Sequence, residues 1–152
     1  MITIDRIANV QRDQFDEVWA IVRFFKGNSE WIKQVPELSP SHQLWAKFHK
    51  LRISGNWNTL SFNEIYLPAF LDEMQGKSAR EKLNELYSLD REGKNIALVC
   101  FCTDESLCHR SIIAGLLHGA GCNVNVPSGK DYSSYYTEYL KHKKVILETA
   151  QK

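Results

Sequence analysis

The sequence has no apolar run long enough to cross a bilayer: its longest, IALVCFC at 96–102, falls far short of the roughly 20 residues a membrane helix needs. No membrane association is expected. It also lacks an excess of charge of either sign, with 19 Lys+Arg against 18 Asp+Glu and a formal net charge of +1. Nothing therefore draws the molecule as a whole toward phosphate backbones or anionic lipid, and a nucleic-acid role would need a local patch. Linker-like Pro/Gly/Ser stretches and internal repeats are missing, which excludes solenoids and a two-domain split. Asp5 and Arg6 stand where a signal peptide would need its apolar segment, so a cytoplasmic location is expected. Cysteine is scarce, and Cys100, Cys102 and Cys108 crowd together while Cys122 stands apart. A disulfide framework spreads its cysteines, whereas a cluster in a reducing compartment points to core packing, a reactive thiol or a metal site.

What is present is ordinary for a folded domain: 152 residues, 43% hydrophobic and 24% charged. That length suits one core, so residues 1–152 are read as a single domain. ITIDRIANV alternates weakly as a strand, and EVWAIVRFF at 17–25 is nearly continuous in apolar residues, as a strand covered on both faces would be. SEWIKQV, with Ser29 as its cap, reads as a short helix, and PSHQLWAKFHKLRI as an amphipathic helix beginning at Pro40. Ser61 with Glu64 and Ser78 with Glu81 form capping-box patterns for two further helices, the first interrupted by Pro68. NIALVCFC, SLCHRSIIAGLLHGAG and CNVNV give strand, helix and strand, the order of a β-α-β unit over 95–126. A last helix covers about 131–149. The pattern predicts an α/β domain whose largely parallel sheet has about four strands, with helices on both faces.

Chemistry concentrates in CFCTDESLCHR, 100–110, which joins the carboxyl end of a buried strand to the start of a helix. Ligands bind at that edge of open α/β sheets, and a helix N-terminus favours anions and ionised thiols. Three uses compete. A nucleophilic site would take Cys102 or Cys108 as thiolate, His109 as acid–base and Arg110 as anion clamp. The Cys102-to-Arg110 spacing, however, exceeds that of a cysteine phosphatase loop. A zinc site would take Cys100, Cys102, Cys108 and His109, donors of the right type at spacings unlike the usual knuckle pairs, and no metal or other cofactor is expected. Non-covalent binding of a phosphorylated small molecule or nucleotide asks for the least special geometry. Arg110, His109 and the helix N-terminus would hold the anion, joined by Arg23, while Cys100 and Cys108 would line the site and Lys26 and Ser41 are further candidate contacts. Tyr132, Tyr135, Tyr136 and Tyr139, followed by KHKK at 141–144, share one helical face. They read either as core packing or as a stacking platform with a basic flank for nucleic acid, over Tyr132–Lys144.

At these residues the chain resembles the uncharacterised domain-of-unknown-function family 488, including its YeaO-like branch. The likeness lies in the strand ending at Arg23 with aromatics after it, and in Trp31-Ile32-Lys33 followed by Leu38-Ser39-Pro40-Ser41. A Trp57-centred segment precedes a helix bearing Tyr66, and Cys100 stands eight residues before Cys108-His109-Arg110. It covers about 17–126. The resemblance implies an α/β domain with a pocket near the Cys-His-Arg turn and supplies no reaction. A cysteine-dependent enzyme acting on a nucleotide or nucleic acid, and a nucleic-acid or protein-interaction module, are the alternatives to the binding reading.

Overall fold

In a computed structural model, which describes residues 1–25 and 30–151 with side chains through residue 142, the apolar runs pair into one sheet. Its strands are β1 (Ile2–Arg6), β2 (Glu17–Ala20), β3 (Ile32–Gln34), β4 (Ile96–Cys100) and β5 (Val124–Asn125). They lie in the order β3-β2-β4-β1-β5, and every neighbouring pair is parallel. All five residues of β4 are buried, as its continuous hydrophobicity requires of a central strand covered on both faces. Trp19, Phe70, Leu86, Ile96 and Leu98 are among the fully buried side chains of the core.

The helices are α1 (His42–Ile53), α2 (Thr59–Ser61), α3 (Leu67–Glu73), α4 (Lys77–Arg91), α5 (His109–Gly119) and α6 (Ser134–Gln151). Among the described residues no helix is long and apolar enough to cross a membrane. The four tyrosines mount α6 and its approach against α5: Tyr132 and Tyr139 are buried, Tyr135 and Tyr136 half-buried. Two glycines of α5 make room. A Cβ on Gly115 would meet the Tyr132 carbonyl oxygen at 2.1 Å, and one on Gly119 would meet Tyr136 Cβ at 2.2 Å. Tyr132 and Tyr139 are thus largely spent on packing, while Tyr135 and Tyr136 keep part of their surface open. Of the basic flank, Lys141 pairs with Glu138 and His142 with Asp72, while the side chains of Lys143 and Lys144 lie outside the described residues.

The structure corrects several local readings. Residues 32–34 form strand β3, not a helix, so the sheet has five strands. Pairing with β2 overrides a segment too short for its periodicity to decide. Strand β2 stops at Ala20, although Ile21 still donates its N–H to the Val99 carbonyl, and Arg23 lies beyond it. Asn58, not Ser61, caps the 59–73 helical stretch: its side chain accepts from Ser61 N–H, and the Ser61 hydroxyl accepts from Asn58 N–H. Between α2 and α3 a π-helical turn, Phe62–Tyr66, falls just before Pro68, which has no N–H to continue an α-helical ladder. Gly76 precedes α4 without a side-chain cap, so the Ser78 box does not form. The 106–121 helix is split: a 3-10 turn, Glu105–Leu107, precedes α5, and Cys108 is the cap residue between them.

Candidate functional site

After β2 the chain moves outward to β3, and after β4 it moves the other way, past β1, to β5. Adjacent strands whose connections diverge leave a crevice at their carboxyl ends, the usual ligand position in open α/β sheets. A cavity of about 640 Å³ opens there. Val22, Arg23 and Phe24 after β2 form one side of it, and Phe101, Cys102, Thr103 and Asp104 after β4 another. The outer wall is α1, which presents His42, Trp45, Phe48 and Arg52 at helical spacing. Behind them Trp57 packs edge-on against Phe48 with ring centroids 4.6 Å apart, and Tyr66 stacks on Phe70 at 6.0 Å. At the mouth Phe24, Trp45 and Phe101 are exposed by 70%, 49% and 54%, a concentration of apolar surface that a folded chain seldom leaves without a use.

The cavity floor carries the cysteines. Strand alternation puts Cys100 and Cys102 on one side of the β4 end, and the 3-10 turn returns Cys108 to them. The Cys100 and Cys108 sulfurs are 3.1 Å apart, and all three sulfurs lie within 4.8 Å of one another. The facing thiols of Cys102 and Cys108, with Arg110 adding to them, hold the Cys100 thiol far below its usual range. Its ionised neighbour pushes Cys102 up to about 11, and burial raises Cys108. Such a set is chemically a soft-metal ligand group or an ionised thiol with proton-bearing neighbours. The three cysteines can hold a metal ion.

His109 is buried, and burial lowers its pKa, so the imidazole is neutral near pH 7. Its Nε2–H donates to the Ile21 carbonyl at 2.6 Å, which leaves Nδ1 as an acceptor 3.7 Å from Cys108 Sγ. Arg110 is also buried. Its Nη1 donates to Cys100 Sγ at 3.0 Å and to the Cys102 carbonyl at 2.8 Å, so the guanidinium stands behind the thiols and does not line the cavity.

The sequence candidates therefore divide. Cys100, Cys102, Cys108, His109 and Arg23 line the cavity; Arg110 supports its floor. Ser41 caps α1, accepting from Leu44 N–H at 3.2 Å, and both its N–H and its hydroxyl donate to the Glu73 carboxylate. It is spent on structure and is not in the cavity wall. Lys26 lies outside the described residues. Asp104 and Glu105 serve local structure, Asp104 accepting from Ser106 and Glu105 accepting from the Ser128 and Tyr132 hydroxyls. Sequence reasoning missed Arg52. The signal was the helical spacing of His42, Trp45, Phe48 and Arg52, which puts two aromatic rings between a histidine and an arginine on one face of α1.

A family model described as the active DUF488-N3 subclade, DUF488-N3a, matches residues 6–121. No curated protein and no solved structure matches the chain.

Proposed function

The chain belongs to the DUF488 family, in its N3a subclade, and from that premise we propose that its cavity binds a phosphorylated small molecule, with a nucleotide as the ligand of first choice. One observation carries the reading: two arginines, Arg23 and Arg52, line an aromatic cavity, and among the described residues neither has an ion-pairing carboxylate. Arg23 donates from Nε to the Pro40 carbonyl at 3.1 Å, which fixes the stem and leaves its outer nitrogens for an anion. Aromatic rings beside one anchored and one exposed arginine match the two halves of a nucleotide, a flat base and a phosphate. In this reading Trp45, Phe24 and Phe101 contact the base. Arg23 and Arg52 take the phosphate, the role the sequence pattern assigned to Arg110. The cavity is large enough for a ligand of this size.

Trp45 and Trp57 line the cavity and report its occupancy by fluorescence. Titration with nucleoside 5′-monophosphates is expected to give saturable quenching, and the parent nucleosides to bind more weakly. Arg52→Gln, an exposed change, should weaken phosphate-bearing ligands by roughly tenfold to a hundredfold, the value of about 1.5–3 kcal/mol for a hydrogen bond to a charged group. Absence of quenching by every monophosphate, or equal affinity for nucleoside and nucleotide, would sink the proposal.

A further inference from the structure

The geometry points to a three-thiolate site for one zinc-type divalent cation at the cavity floor, made by Cys100, Cys102 and Cys108, with its fourth position open to the cavity. The inference does not depend on what occupies the rest of the cavity. Its first support is convergence. Residues from a strand end, a loop and a helix cap bring three sulfurs within 4.8 Å of one another, and among the described residues no other set of His, Cys, Asp or Glu does so. Thiolates on one tetrahedral zinc, at ~2.3 Å from the ion, stand ~3.8 Å from each other. The Cys100–Cys108 pair, now at 3.1 Å, has to part by several tenths of an ångström, within reach of a small rotation about the side chain of a cap residue.

The second support is charge. Three thiolates carry three negative charges into a buried place, and a divalent cation supplies two positive charges. The third comes from Arg110, whose Nη1 already donates to Cys100 Sγ. Cation, thiolates and guanidinium together are neutral, which removes the main penalty against a charged cluster in low dielectric. A hydrogen bond from a neighbouring donor to a ligating sulfur is the kind of outer contact that orients and tunes metal ligands. An ordinary core of small cysteines has no need of a guanidinium against its sulfur.

The third support is access. All three cysteines also line the cavity, so an ion on them keeps one position for water or for a donor atom of the bound molecule. Three protein ligands with one open position is the arrangement of catalytic zinc, whereas structural zinc sites close all four.

The test uses the full chain, reduced and stripped by chelator, titrated with Co²⁺ and then with Zn²⁺ under anaerobic conditions. One equivalent of Co²⁺ is expected to give thiolate-to-cobalt charge-transfer absorption, which one equivalent of Zn²⁺ abolishes, and native mass spectrometry should show one zinc per chain. Cys102 is only half-buried, so Cys102→Ser should fold and yet bind Co²⁺ about a hundredfold more weakly or worse. Cys122→Ser, outside the cluster, should keep the band. No charge-transfer band in the wild-type chain overturns the proposal. A band of full strength in Cys102→Ser, or equal losses in the two variants, overturns it as well.

Discussion

Arg110→Met is expected to lower the melting temperature of the reduced, metal-free protein by roughly 6–20 °C. Arg110 is 3% exposed, and its guanidinium donates to the buried Cys100 sulfur and to the Cys102 backbone carbonyl. Methionine fills much of the same space, so the loss is electrostatic and not a matter of volume. It removes the positive charge that favours the thiolate of Cys100 and leaves the Cys102 carbonyl without this donor. Removing one partner of a buried charge pair costs about 3–5 kcal/mol, and in a chain of this size each kcal/mol moves the midpoint by roughly 2–4 °C. The double variant Arg110→Met with Cys100→Ala should recover part of that loss, because deleting both partners leaves no orphaned charge. Calorimetry of the four proteins of this cycle checks it. A single-variant loss below about 1 kcal/mol would mean that the contact does not carry charge.

Gly115→Ala is expected to destabilise the fold by about 3 kcal/mol or more, the upper end for overpacking. The added methyl would sit 2.1 Å from the Tyr132 carbonyl oxygen and 2.9 Å from its carbon, with Tyr135 Cβ at 3.1 Å. The nearest obstacles are backbone, so no rotamer change relieves them, and α6 must move off α5. The intrinsic helical gain of alanine over glycine, about 1 kcal/mol, offsets only part of this. Thermal unfolding should show the loss, and limited proteolysis should cut the α6 segment first. Unchanged stability together with an intact α6 would mean that the tyrosines are not seated where the structure puts them.

The β-α-β unit over 95–126 and the clustering of thiols at its turn were legible because each depends on local pattern: an apolar run, a helical stripe and a glycine stop. The orientation of Arg110 was not. His109 through Leu117 are buried without interruption, so periodicity could not say which side of α5 faces the cavity and which faces the sheet. Strand β3 escaped for the opposite reason, since its three residues are half-buried or exposed and owe their conformation to pairing with Val18, Trp19 and Ala20. Ser61 looked like a cap because the competing cap, Asn58, is an equally good one three residues earlier. The cavity itself depends on residues far apart in sequence: Arg23 and Arg52 meet Cys100 only through the sheet order, which no local pattern encodes.

That order also bears on how the protein is made. β1 lies between β4 and β5, so Ile2 pairs with Ile96 on one side and Val124 on the other. β1 is made well before either of its neighbours, β4 and β5, and at ~5–20 residues per second the nascent chain carries it unpaired for several seconds. Its sequence suits that wait: Thr3, Asp5 and Arg6 interrupt the isoleucines, so the strand offers no continuous sticky face to another unfinished chain. The metal and ligand site proposed at the β2–β4 crevice therefore forms only after β4 and the Cys108 turn that follows it have been made.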